Sequence, residues 1–215
     1  GVWQFVYASS VAAYGSVENA TEETPLNPTT LYGKGKAACE EILKKTFDNQ
    51  QWTIVRSASV CGYSPRMRFD LTVNRMVHDA IRYGRIIVNG GEQKRCHVHI
   101  DTLCDFYRTV LDYGWPVYKQ VFNLARENQK IMETAEIVIR KLSSGRRRAR
   151  NMCAYIIQKD ATDDRSYTVN GDKPFTGFLR FRSKGSVANA VADLEEKFDS
   201  FRDLDSPIYQ NVVNA

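Results

Sequence analysis

Val2-Trp3-Gln4-Phe5-Val6-Tyr7-Ala8 is an uncharged run of aromatic and β-branched residues, and it reads as a buried strand. A strand this apolar needs neighbours on both faces, as in a parallel sheet covered by helices. Ser9 to Thr30, with Pro25 and Pro28, reads as a loop. The spacing then predicts a helix from about Leu31 to Phe47 and a second strand at Trp52 to Ala58. Strand, helix and strand make one βαβ unit, so the class is α/β.

The pattern continues outward from that unit. Leu71 to Tyr83 reads as a helix with Leu71, Val73, Met76, Val77, Ala80 and Ile81 on one stripe. Strands are expected at Arg85–Asn89, Cys96–Ile100, Val121–Ala125 and Met152–Gln158, and helices at Thr102–Tyr113, Ile131–Leu142 and Ser186–Phe201. No internal repeat is present.

The 215 residues carry 30 Lys and Arg against 25 Asp and Glu, a formal charge of +5. With 43% apolar and 26% charged residues the chain is ordinary globular material, which excludes disorder and collagen-like repetition. No apolar run approaches the ~18 residues of a membrane span. Five cysteines (Cys39, Cys61, Cys96, Cys104, Cys153), scattered and without a CxxC, suit reduced thiols. A cytoplasmic protein without membrane partners is the expectation.

The chemistry-bearing segment follows the first strand, which ends in Ser9-Ser10-Val11-Ala12-Ala13-Tyr14-Gly15. Pro28-Thr29-Thr30-Leu31-Tyr32-Gly33-Lys34-Gly35-Lys36 then opens the helix. Tyr32 and Lys36, four apart, share a helix face. An ammonium that close favours the phenolate and draws a tyrosine toward general-base duty near neutrality. A serine at the end of a parallel strand stands where open α/β sheets bind ligands. Tyr-x-x-x-Lys alone is a weak signal; the ordered set of strand, Ser-Ser-x-x-x-Tyr-Gly, Pro-containing loop and Tyr-Gly-x-x-Lys is a specific one.

That set resembles the extended short-chain dehydrogenase/reductase family, the NAD-dependent sugar-nucleotide epimerases and dehydratases. Val55-Arg56-Ser57-Ala58-Ser59-Val60-Cys61-Gly62-Tyr63-Ser64-Pro65 is similar to the family's Leu-Arg-x-x-x-Val-Tyr-Gly-Pro, with Cys61 in place of Tyr. Arg95-Cys96-His97-Val98-His99-Ile100-Asp101 is similar to Arg-Asp-Tyr-Ile-His-Val-Asp. The resemblance implies a fold that is the C-terminal half of a Rossmann-like parallel sheet plus a smaller α/β substrate-binding domain. Residues 1–60 with 96–126 would form the first part, and 61–95 with 127–215 the second. It implies Tyr32 as catalytic acid/base, Lys36 as its pKa-lowering partner and ribose contact, and Ser10 as the residue that positions the sugar hydroxyl. Tyr32, Lys36 and Ser59 would touch the cofactor, NAD with NADP not excluded. Ser10, Asn74 and Arg95 would touch a nucleoside-diphosphate sugar. A homodimer is possible on the same grounds.

Two departures shape the expectation. The family's Gly-x-x-Gly-x-x-Gly turn is missing, and Gly33-Lys34-Gly35-Lys36-Ala37-Ala38, which formally satisfies GxGxxA, follows Leu31-Tyr32 and not a strand, so it is rejected. The chain reads as starting at a later strand of the sheet, with an open edge. It is then either a fragment of a longer enzyme or a non-catalytic sugar-nucleotide-binding or interaction domain. Further, family dehydratases carry an Asp-Glu pair just after the active Ser/Thr, where Val11, Ala12 and Ala13 stand here. Hydride removal and return, with 4-epimerisation as the best guess, is preferred to elimination.

Other clusters yield less. His97 and His99 read as sharing a strand face with Arg95 and Asp101, opposite Cys96, a poor metal-ligand spacing, so no metal is expected. Arg146-Arg147-Arg148-Ala149-Arg150 has no aromatic platform and reads as a solvated turn after a helix, without nucleic acid as a partner. Cys61 reads as a small buried filler.

Overall fold

The computed structural model describes residues 3–47, 51–145, 155–160, 166–201 and 206–209. Strand β1 (Phe5–Ser10) leads into a 3-10 turn (Val11–Tyr14), strand β2 (Val17–Ala20), helix α1 (Leu31–Thr46) and strand β3 (Trp52–Ser57). Strand β4 (Ser59–Cys61) and helix α2 (Thr72–Tyr83) precede strands β5 (Arg85–Asn89) and β6 (Lys94–His99). Helix α3 (Ile100–Tyr113), strands β7 (Gln120–Leu124) and β8 (Glu127–Lys130) and helix α4 (Ile131–Ser144) come next. Strands β9 (Tyr155–Lys159) and β10 (Tyr167–Val169), the short helix α5 (Lys173–Thr176) and helix α6 (Val187–Lys197) complete the described order.

The central sheet has the order β1-β3-β7, all parallel. Its register lines Tyr7, Ile54 and Val121 in one cross-strand row and Val55 and Phe122 in the next. Side chains alternate faces along a strand, so the two rows look opposite ways. Ile54, with Tyr7 and Val121, packs against Leu43 of α1. Val55 and Phe122 pack against Phe106 and Val110 of α3. One helix on each face is the doubly wound arrangement that an apolar first strand requires. Among the described residues β1 pairs with β3 alone and so forms the edge of this sheet.

A second core gathers α2, α4 and α6 over β5. Val73, Met76, Val77 and Ala80 meet Ala135, Val138 and Leu142, with Val187, Ala190, Val191 and Leu194 closing over Ile86 and Val88. Each Val, Leu, Ile or Met among them contributes about 1.5–3 kcal/mol on burial, and the alanines let the helices approach closely. Smaller pairings tie the parts: β4 lies parallel to β6, β6 antiparallel to β8, β10 parallel to β2, and β5 parallel to β9. Val169 and Leu179 join the core beneath the central sheet, not the three-helix core.

Several boundaries differ from the sequence reading. The first strand runs Phe5–Ser10, with Val2 outside the described residues, because parallel pairing with β3 extends through Ser10↔Ser57. The stretch read as one loop holds the 3-10 turn and β2, whose partner β10 lies about 150 positions away in the chain. Asp101 is not on a strand: β6 ends at His99 and α3 starts at Ile100, since the His99 side chain caps the helix. The last long helix stops at Lys197 and continues as a 3-10 turn to Ser200. Met152, Cys153 and the run Arg146–Arg150 lie outside the described residues.

Candidate active site

Thr30 stops the chain ahead of α1 in extended backbone, and its hydroxyl accepts the Gly33 N–H at 3.1 Å. This N-cap fixes where the helix begins and hence puts Tyr32 in its first turn. At the carboxyl end of β1, Ser10 caps the following 3-10 turn, its Oγ accepting the Ala12 N–H at 3.2 Å. That bond uses an oxygen lone pair, not the hydroxyl proton, so Ser10 keeps a donor for another oxygen.

Ser10 and Tyr32 line one cavity of about 650 Å³ at the ends of β1 and β3, together with Ser59 and Arg95. Tyr32 is 60% exposed. Lys36 is not among the lining residues. Its Nζ donates to the Ala8 carbonyl at 2.7 Å and lies 5.3 Å from the Tyr7 ring centroid and 5.6 Å from that of Tyr32. The ammonium therefore sits beside the phenol on the β1 side, tethered to the strand that carries Ser10.

Arg95 is 7% exposed at the cavity wall, donating to the Lys94 carbonyl at 3.0 Å, with its guanidinium 5.2 Å from the Tyr167 ring centroid. Asn74 lies elsewhere. Both ends of its amide are spent on backbone: Oδ1 accepts the Gly62 N–H at 3.1 Å, and Nδ2 donates to the Arg68 carbonyl at 3.0 Å. Asn74 thus braces the loop between β4 and α2.

That loop carries a lining residue the sequence reading missed. Met67 and Phe69 are buried on either side of Arg68, which lines the cavity with its guanidinium paired to Asp70 at 2.9 and 2.5 Å. The Met-Arg-Phe alternation was a usable signal for one outward cation between two anchors. Ser16, just past the turn that Ser10 caps, and Tyr167, brought in by the β10–β2 pairing, also line the cavity. The lining named for this cavity includes two guanidiniums and many hydroxyls but no carboxylate.

The thiols of Cys61 and Cys96 and the imidazoles of His97 and His99 are buried in the protein interior. Burial pushes the Cys61 and Cys96 thiols up to about 12, far from the thiolate a nucleophile needs. Burial, aided by the charge of Arg95, holds the His97 imidazole down at about 4. His99, Asp101 and Asp193 present ligand atoms within 4.8 Å of one another. Both His99 nitrogens, however, serve the protein: Nδ1 accepts the Asp101 N–H at 3.2 Å, and Nε2 lies 3.1 Å from Asp193. Among the described residues no helix is long and apolar enough to cross a membrane.

The doubly wound α/β chain thus has its cavity at the carboxyl ends of its parallel strands, where open α/β sheets place their ligands. The model of the NAD dependent epimerase/dehydratase family matches residues 1–125, more than half of the chain, and the chain belongs to that family. It is 36% identical over 109 residues to the uncharacterized protein y4nG of Sinorhizobium fredii, covering 48% of this chain and 26% of that one. Among solved structures it resembles dTDP-glucose 4,6-dehydratase of Bacillus anthracis in complex with NAD. The TM-score is 0.75 at 23% identity, over 93% of this chain and 64% of that one. UDP-glucuronic acid 4-epimerase of Bacillus cereus, in complex with UDP-glucuronic acid and NAD, gives 0.75 at 19% identity over 92% and 62%. At such identities the likeness to these structures is one of fold, and the chain spans less than two thirds of their length.

Proposed function

We infer that the chain supplies the substrate cavity and proton-transfer residues of a nicotinamide-dependent sugar-nucleotide enzyme, with 4-epimerisation of a nucleoside-diphosphate sugar as the reaction. The observation that carries this reading is the shared cavity of Ser10, Tyr32 and Arg95, with a lining of hydroxyls and guanidiniums. Hydroxyls suit a sugar, and guanidiniums suit a diphosphate through paired charged hydrogen bonds. In the scheme Ser10 donates to the sugar oxygen, Tyr32 takes that oxygen's proton, and the same phenol later returns it. Lys36 is the fixed positive charge beside Tyr32. Arg95 takes the phosphate, and Asn74 contributes by holding the Arg68 loop.

The donor set also fits one end of a dinucleotide, with Tyr32, Lys36 and Ser59 as the contacts in this chain. When bound, the dinucleotide, NAD or NADP, supplies hydride uptake and return. The Gly33–Gly35 pattern is no part of that contact, because it lies within α1. Val11 and Ala12 line the cavity and Ala13 is buried beside them. None of the three exchanges a proton, which supports oxidation and return over elimination.

The test is Tyr32→Phe in the full-length protein that carries this chain. Turnover should fall by at least about 100-fold, the scale of a lost general acid/base, while calorimetric affinity for the nucleotide sugar is retained. Parental turnover in the variant refutes the reading. The same calorimetry separates the alternative, a binding domain without chemistry, which takes the nucleotide sugar but no dinucleotide.

A further inference from the structure

Tyr32, Lys36 and Glu40 fall at successive turns of one α1 face, descending from the cavity mouth to the sheet. Glu40 is only 1% exposed. A carboxylate there is tolerable only if paired and fully hydrogen-bonded. Its partner is Arg56 of β3, itself 2% exposed. Arg56 donates from Nε to Oε1 at 3.0 Å and from its terminal nitrogen to Oε2 at 2.7 Å. Ser9 Oγ adds a third donor to Oε1 at 2.5 Å.

The other arm of Arg56 reaches the turn behind the cavity. It donates to Tyr14 Oη at 2.6 Å and to the Glu22 carbonyl at 3.1 Å. Tyr14 in turn donates to Asn123 Oδ1 of β7 at 2.7 Å. Burial raises the Tyr14 phenol, against the pull of Arg56, which keeps its proton on that bond. One ion pair therefore joins three elements: the helix that carries Tyr32 and Lys36, the strand residue next to Ser10, and the turn that Ser10 caps.

We propose that Glu40 and Arg56 are positioning residues for proton transfer, locking α1 against β1 and the 3-10 turn so that Tyr32 faces Ser10. The inference rests on the function proposed above. A fork of two parallel hydrogen bonds fixes direction as well as distance, which an apolar contact of equal area does not. Stability alone does not require the pair, since well-packed apolar side chains commonly replace buried ion pairs at no cost.

That difference supplies the experiment. The triple variant Ser9→Ala, Glu40→Leu, Arg56→Met removes the pair and its extra donor together, and Arg56→Lys keeps the charge but loses the fork. Both are made in the full-length protein beside Tyr32→Phe. The triple variant also takes a donor from Tyr14 Oη and the Glu22 carbonyl, so it should still fold but melt below the parent, by no more than about 10 °C. In both variants kcat should fall about 10- to 100-fold, the scale of a misplaced reacting group. KM for the nucleotide sugar should stay within about twofold. Parental kcat in either variant, or a loss carried by KM instead of kcat, overturns the proposal. If neither variant folds, the pair is a stability element and the proposal falls as well. If instead Tyr32→Phe turns over like the parent, it is the functional reading that has failed.

Discussion

Two glycines two positions apart in α1 should respond to alanine with a clear difference in stability. At Gly35 an added Cβ meets nothing within 4 Å. The substitution then brings only helix propensity, about 0.8–1 kcal/mol in favour of alanine. At Gly33 the same atom would stand 2.5 Å from the Ala12 carbonyl oxygen and 3.0 Å from Pro28 Cβ. Backbone must move to admit it, and overpacking of this kind costs roughly 1–3 kcal/mol. The propensity gain at Gly33, in the first turn, is no larger than at Gly35. The two variants should therefore differ by at least about 1–3 kcal/mol, the overpacking cost itself. Urea unfolding followed by far-UV circular dichroism reads that difference directly. For a chain of this size the Gly35→Ala melting point should rise by about 2–4 °C. Gly33→Ala also pushes α1 off the 3-10 turn, so it should impair turnover, whereas Gly35→Ala should leave it intact. Equal stability of the two variants would refute the close approach of Gly33 to Ala12 as the reason for glycine there.

His97 makes stability depend on pH. Its folded-state value near 4 lies below the ordinary 6.5 because burial opposes the charged ring. The unfolded chain therefore binds a proton that the folded chain refuses, and stability present above 6.5 is lost as pH falls toward 4. Linkage puts that loss at up to roughly 2 kcal/mol between about pH 7.5 and about pH 5. His97→Gln should flatten it in urea melts at the two values; an unchanged slope would clear His97. Separately, Arg95→Ala should weaken nucleotide-sugar binding by about 10- to 100-fold in calorimetry, the worth of a charged hydrogen bond. Undiminished affinity would remove Arg95 from the binding site.

The central βαβ unit was legible because β1, α1 and β3 each satisfy a local rule: apolar strands on both sides of a helix capped by Thr30. Val73, Met76, Val77 and Ala80 likewise announced the buried face of α2. The short strands were not legible. β8 reads Glu-Asn-Gln-Lys, with no apolar alternation, and exists because β6 offers it an antiparallel partner. β2 depends on β10 across most of the chain. The site divides in the same way. Ser10 and Tyr32 could be found because each stands at the end of an element. Tyr167 could not, since its place at the cavity follows from the β10–β2 pairing. Asn74 shows a further limit: its position in α2 was plain from periodicity, but what its amide touches depends on where the preceding loop folds back.

The Ser9-Ser10 doublet shows how much of the site rests on register. Residues adjacent in a strand face opposite ways, and β1 pairs Ser9 with Arg56 and Ser10 with Ser57. The first row points beneath α1, where Ser9 and Arg56 both donate to Glu40. The second row ends at the cavity, which Ser10 and Ser57 line. A slip of one residue between β1 and β3 would bury Ser10 under the helix, turn Ser9 to the cavity, and move every apolar side chain of β1 to the wrong face. Hydrophobic burial penalises such a slip, but a doubly wound sheet is apolar on both faces and discriminates weakly. The buried carboxylate discriminates sharply, because Glu40 loses its donors unless Ser9 and Arg56 lie in this pairing. The ion pair thus selects the one register in which a serine hydroxyl reaches the cavity that Tyr32 faces.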